Sequence, residues 1–264
     1  MDTLHLAGWG LLAALAVALP TWAVSLPLRD ASLADRVWSL MVGAPVVLYA
    51  CRLPLDTGSL LALAVLAAWA LRLAVYVTRR NSGHGEDKRY QAIRARNQPN
   101  FGFKSLYLVF GLQGALAWVV GWPLLAVVAH PGSLGPPGML GLLLAAGGLV
   151  FEAVADAQLA RFLRGPRAQG AVMDQGLWAW SRHPNYFGEC CVWWGLGLAA
   201  LAAGGWADAW SLASPLVMTV LLLKVSGVAL LEQDIGERRP AYRDYAARTS
   251  AFFPWPPQRG TANP

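Results

Sequence analysis

The sequence predicts an all-α integral membrane protein of about seven transmembrane helices, with the N-terminus outside and the C-terminus in the cytosol. Three observations predict it. Of 264 residues only 14% are charged and 56% are hydrophobic, whereas a soluble domain carries about 25% charged residues. Apolar runs near the roughly 20 residues that span a bilayer as helix recur seven times. The basic residues, finally, fall almost entirely on alternate connections.

The runs lie at about 5–25, 35–51, 59–77, 106–129, 138–157, 188–204 and 209–231. The first has no Lys or Arg ahead of it, as a cleaved signal would, so it is expected to be a spanning helix. SLPLRDASLADR, RLPLDTG, HPGSLGPPG and GGWAD punctuate the series with Pro, Gly and charge. Backbone in lipid must satisfy its own hydrogen bonds, which makes these runs helices rather than open strands. No internal repeat interrupts them. The chain reads as a single membrane domain over 1–264, with spans 5–129 on the substrate side and 138–264 supplying cofactor-binding spans and a cytosolic tail.

Segments 78–105 and 158–187 and the tail after 231 carry seven, four and five of the 21 Lys and Arg residues. The opposite linkers, 52–58, 130–137 and 205–208, hold only Arg52. The positive-inside rule then places the N-terminus outside and the C-terminus inside. A net charge of +6 gathered on one membrane face suits anionic lipid headgroups, or an anionic ligand held from the cytosolic side, rather than nucleic acid.

Ionisable residues within spans usually face a bundle interior or a wet cavity. Arg72, Glu152, Asp156, Glu189 and Lys224 all fall in the cytosolic half on this topology, with Lys224 roughly 12 Å inside its span at 1.5 Å per residue. Snorkelling would account for Arg72 or Lys224 alone. The set as a whole predicts a polar cavity open to the cytosol, to which Gln113 and Tyr76 are able to add.

The stretch WAWSRHPNYFGECCVWWG, positions 178–195, is the richest in chemistry. Pro184 suits the first turn of a helix, which leaves Arg182 and His183 in the preceding loop and stacks Asn185 and Glu189 on one face. Upstream, RFLRGPRAQG supplies Arg161, Arg164 and Arg167, the guanidinium being the preferred fork for phosphate. Downstream, ERRPAYRDYAARTSAFFPWPP interleaves Arg238, Tyr242, Tyr245 and Arg248, able to stack on a flat ring and pair a phosphate. A dinucleotide has the phosphates, amide head and base that these three elements suit. GLGLAA at 195–200 lies inside a span with no strand before it, so it is no Rossmann turn. Three Cys and four scattered His predict neither a disulfide framework nor a metal site.

LWAWSRHPNYFGE…WWG, SGVALLEQD, RRPAYRDYAARTSAFFPWPP and RRNSGHGEDKRYQAIR together resemble the DUF1295 membrane proteins. These are bacterial relatives of the steroid 5-alpha-reductase C-terminal family. Sterol reductases and isoprenylcysteine carboxyl methyltransferases share an RHPxYxG-like turn and a YxxYxxR tail with them. The resemblance implies NADPH held in a cytosol-facing cavity and its hydride passed to an activated C=C bond of a lipophilic, steroid- or enone-like substrate entering from the bilayer. It implies a bacterial inner-membrane location, with the cofactor site facing the cytosol.

On that resemblance Asn185 and Glu189 look like the nicotinamide-side pair, and Asp156, Arg161 and Arg164 like the acidic-and-arginine run that helps hold the cofactor. With Arg182, His183, Tyr186, Tyr242, Tyr245 and Arg248 they form the expected cofactor-binding set. Tyr76, beside Arg72, and Glu189 form the expected catalytic set, with Lys224, Glu86, Asp87 and Tyr90 as further candidate donors to the developing oxyanion. The chain departs from the steroid enzymes in three places: no Gln or Glu lies between 37 and 55, Trp69 stands where a Tyr would, and Asp234 or its neighbour replaces a tail His. Cofactor binding therefore carries over better than 3-ketosteroid reduction. Two other readings remain open, an S-adenosylmethionine-dependent membrane methyltransferase and a non-enzymatic lipid-binding membrane protein.

Overall fold

A computed structural model describes residues 3–81, 83, 85–132, 134–165, 171–225, 227–232, 235 and 240–257, with no strand among them. Among the described residues six elements are long and apolar enough to cross a membrane, so the chain is an all-α integral membrane protein. These are α1 (Thr3–Leu28), α2 (Leu33–Arg52), α3 (Thr57–Asn81), α5 (Phe101–Ala129), α6 (Gly135–Arg164) and the continuous stretch Pro184–Val225. The last contains α7 (Pro184–Gly204), a 3-10 segment at Gly205–Leu212, α8 (Ala213–Val220) and a π segment at Leu221–Val225. The described residues also form the short helices α4 (Lys88–Arg96), α9 (Val228–Glu232) and α10 (Ala241–Arg248) and a 3-10 turn at Gly176–Ala179.

Most spans run a few residues past their sequence-based bounds, because a helix keeps its hydrogen bonds until something replaces them. α1 continues through Pro20 and Pro27, as membrane helices allow, and ends only where Arg29 turns left-handed at φ 51°. Asp30 then accepts from the Ser32 N–H and hydroxyl, fixing the turn into α2. The expected run 209–231 is irregular: it begins in the 3-10 segment Gly205–Leu212 and holds the π segment Leu221–Val225. Lys224 lies within that π segment and is exposed.

The chain forms two compact units, Met1–Leu142 with Leu196–Ser214, and Leu143–Gly195 with Pro215–Pro264. In the first, α1 packs along α2 and α5 packs against both. The buried Tyr49 ring lies against Gly10, where no side chain fits. Two indoles pin α1 to α5, Trp22 donating to the Gly102 carbonyl at 2.9 Å and Trp118 to the Ala7 carbonyl at 2.7 Å. Gly111, closing the π segment Leu106–Gly111, leaves room for the Leu106 carbonyl, which a Cβ would meet at 3.0 Å.

GEDKRYQAIR is not an open loop. Asp87 caps α4 through the Arg89 N–H at 2.9 Å. Arg89 reaches Asp35 at 2.8 Å, Tyr90 donates to the same carboxylate at 2.5 Å, and Gln113 donates to the Tyr90 oxygen at 2.8 Å. Burial, reinforced by the Asp35 charge, pushes the Tyr90 phenol well above its ordinary value. Glu86 accepts from Arg94 at 2.7 and 2.9 Å and from the Ala31 N–H at 2.8 Å. Burial works against its ionisation, yet these bonds hold its carboxyl below the usual range. Glu86, Asp87 and Tyr90, candidate donors by sequence, thus clamp α4 to the α1–α2 turn.

Candidate functional site

The second unit holds most of the residues that the sequence singles out. Its frame is a helix crossing made by two glycines. A Cβ on Gly148 of α6 would lie 2.7 Å from the Gly188 carbonyl and 2.8 Å from the Val192 nitrogen. One on Gly188 of α7 would lie 2.7 Å from both the Glu152 nitrogen and the Gly148 carbonyl. Backbone touches backbone, as small residues permit between membrane helices. Adjacent turns of the two helices are therefore forced to face each other at short range.

Those turns carry the polar residues. Glu152, Asp156 and Glu189 are 4%, 6% and 5% exposed. Asn185, in the first turn of α7, donates its amide to Asp156 at 3.1 Å. A carboxylate only accepts, so the amide nitrogen must face it. The Asn185 oxygen is buried and has no hydrogen-bond partner among the described residues. One turn on, Glu189 accepts from the Trp193 indole at 2.8 Å. An open amide acceptor beside buried carboxylates suits a ligand that brings N–H donors and positive charge.

A second network ties the tail to the entrance of α7. Tyr245 donates to the Trp178 carbonyl at 2.6 Å, the Arg182 N–H to the Ser250 carbonyl at 2.8 Å, and Ser181 to the Phe252 carbonyl at 2.8 Å. The segment 176–181 is itself held on α6. Gln158 accepts from the Leu177 N–H at 3.0 Å and Trp178 donates to the Ala155 carbonyl at 3.0 Å. At the centre is Glu232. Both its oxygens accept from Arg182 at 2.8 Å, and one also meets His183 at 2.9 Å and Tyr242 at 3.0 Å. Burial opposes its ionisation, but the His183 and Arg182 bonds bring its carboxyl down to about 2. Burial pushes the Tyr242 and Tyr245 phenols well above their ordinary values.

A family model described as "Protein of unknown function (DUF1295)" matches residues 21–249. The chain belongs to the DUF1295 family. No curated protein matches it.

In this DUF1295 chain the expected site separates into groups. Asp156 and Asn185 are joined directly, with Glu189 buried a turn away. Arg182, His183, Tyr242 and Tyr245 are drawn together, but around Glu232 and main-chain carbonyls. Arg182 also donates to the Ala246 and Thr249 carbonyls at 2.7 and 3.3 Å, so its fork is nearly filled from within the chain. Tyr186 stacks on His183 with centroids 5.5 Å apart. Arg248 pairs with Asp174 at 2.6 Å on the surface, the kind of exposed pair that contributes little. Arg161 and Arg164 are exposed at the end of α6, where Arg164 bonds the Ala160 carbonyl at 3.1 Å.

Tyr76 and Arg72 sit on α3 in the first unit, half-buried, with the Arg80 guanidinium 5.9 Å from the Tyr76 ring centroid. Arg167, Asp234, Arg238 and Arg239 lie outside the described residues. Glu232, the hub of the tail network, is missed by the sequence reading although it lies inside the quoted SGVALLEQD. The available signal was an acidic residue ending an apolar run in a chain whose later segments are rich in Arg.

Proposed function

We propose that the chain is a membrane-embedded, NADPH-dependent reductase that adds hydride to an activated C=C bond of a lipophilic substrate. The observation that carries this reading is the Asp156–Asn185 pair, whose amide oxygen remains a buried, open acceptor. A carboxamide head offers N–H donors to that oxygen, so the residues present fit the nicotinamide end of the cofactor. Arg161 and Arg164, exposed at the end of the same helix as Asp156, would hold phosphates, and Arg248 would join them by releasing Asp174. Arg182 is assigned to the tail rather than to a phosphate.

When bound, NADPH supplies a hydride and keeps the positive charge that hydride loss leaves on its ring. Glu152, Asp156 and Glu189 favour positive charge nearby, so their contribution grows towards the transition state, which is the condition for catalysis. With S-adenosylmethionine the charge is present at the start and vanishes on transfer. The same carboxylates would hold that donor back, which favours reduction over methyl transfer. The reading rests on the second unit; Tyr76 and Arg72 enter no step in it.

The 42 residues of Pro184–Val225 would extend about 63 Å as straight helix, twice the roughly 30 Å hydrocarbon core. We read them as two spans hinged at Gly205–Leu212, which gives seven, with the N-terminus outside and the polar tail in the cytosol of a bacterial inner membrane. The test is gentle extraction followed by mass spectrometry of any nucleotide that travels with the protein. NADP(H) is expected with the wild type and should be lost in Asn185→Ala. Recovery of S-adenosylmethionine or its demethylated product instead would reverse the assignment.

A further inference from the structure

The helix that presents Asn185 and Glu189 has a second, unlike face. At 100° per residue Phe187, Cys190, Cys191 and Trp194 point to the opposite side of α7. There they border a half-open cavity of about 220 Å³, lined also by Leu144 and Leu223 and by Phe252 and Phe253 of the tail. Three rings form its aromatic wall edge to face: Phe187 lies 5.9 Å from both Phe252 and Phe253, and those two lie 5.3 Å apart.

Nothing in this wall asks for a polar guest. Its hydroxyl, Thr219, donates to the Pro215 carbonyl at 2.7 Å and accepts from the Trp194 indole at 3.1 Å, with the Cys190 sulfur 3.8 Å away. A water needs two to four polar partners, and apolar cavities of this order stay dry and take hydrocarbon. The mouth opens among exposed apolar side chains. Leu144 and Phe253, which line the cavity, are 40% and 69% exposed, and Leu143 and Val220 beside it are 65% and 54% exposed. The neighbouring π segment Leu221–Val225 is a deformation often found at functional sites.

We infer that this cavity seats an acyl chain of a membrane phospholipid, on the face of α7 opposite the Asp156–Asn185 pair. The site does not depend on the reductase reading. Because two of its walls are tail phenylalanines, a seated chain braces the tail against α7 from the lipid side. Phe252 is held in place by the Ser181 bond to its carbonyl, and the Trp255 main-chain N–H donates to the Trp180 carbonyl at 2.9 Å.

The experiment uses the full chain in liposomes of phosphatidylcholine bearing a photoreactive diazirine in one acyl chain. After irradiation, adducts are mapped by peptide mass spectrometry. Adducts on the peptides containing Phe187–Trp194 and Phe252–Phe253 should exceed, several-fold, those at Leu140 and Val150, which are 67% and 64% exposed on α6. Leu144→Trp, which fills the mouth, should remove the excess and leave labelling at Leu140 and Val150 unchanged. Leu223→Trp serves the same purpose should Leu144→Trp fail to fold. Equal labelling of all these positions, the signature of annular lipid only, would overturn the inference. An excess that survives both filling substitutions would overturn it equally.

Discussion

Gly148→Ala and Gly188→Ala are each expected to destabilise the C-terminal unit at or beyond the upper end of the ~1–3 kcal/mol typical of overpacking. The methyl group has nowhere to go. Its nearest neighbours are main-chain atoms of the facing helix at 2.7–2.8 Å and the Cβ atoms of Cys191 and Glu152 at 2.6 and 2.8 Å, none of them the end of a flexible side chain. Relief requires α6 and α7 to separate, which stretches the Asp156–Asn185 bond of 3.1 Å. Gly147 is the internal control. A Cβ there meets nothing within 4 Å, so Gly147→Ala should be neutral or stabilise by about 0.5–1 kcal/mol through helix propensity. Thermal melts in one detergent compare the three. A Gly147→Ala variant as damaged as Gly148→Ala would mean that the close crossing does not exist in solution.

Glu232→Ala is expected to release the tail. It strands the Arg182 fork, one His183 nitrogen and the Tyr242 hydroxyl together. Removing one partner of a buried ion pair costs about 3–5 kcal/mol. With the Glu232 and Arg182 side chains 21% and 13% exposed, the lower end applies. Limited proteolysis across 240–257 should rise sharply at neutral pH, while Glu232→Gln, which keeps the shape and loses the charge, should fall between. Acid should mimic the lesion in the wild type. The Glu232 carboxyl titrates at about 2 in the fold against an ordinary 4.5. A depressed carboxylate contributes stability that is complete above the ordinary value and disappears as pH falls through the folded one. Tail cleavage by an acid protease should therefore rise from pH 4.5 towards pH 2 in the wild type, and be high throughout in Glu232→Ala.

The first five spans were legible because burying unpaired backbone in lipid is so costly that an apolar run admits one structure, and their ends moved by only a few residues. The last stretch was not. Gly205 at φ 66°, the 3-10 segment after it and the π segment at Leu221–Val225 leave no mark on hydropathy. In the candidate site, Asp156 and Asn185 were legible from their turns and from the family resemblance, and they do meet. Arg182, Tyr242 and Tyr245 were legible as a cluster but not as to partner. Sequence shows that an arginine needs an acceptor, not whether a ligand or Glu232, fifty positions on, supplies it.

The central claim is that Asn185, oriented by Asp156, forms the head of a nicotinamide site. Trp193 reports on it directly, since its indole is bonded to Glu189, one turn from Asn185. Titrating the detergent-solubilised protein with NADPH and with S-adenosylmethionine, while following tryptophan fluorescence, tests the claim. Saturable quenching by NADPH alone is predicted, with Asn185→Ala requiring roughly tenfold more, equivalent to about 1.4 kcal/mol. Quenching by S-adenosylmethionine alone, or an NADPH response identical in Asn185→Ala, would contradict it.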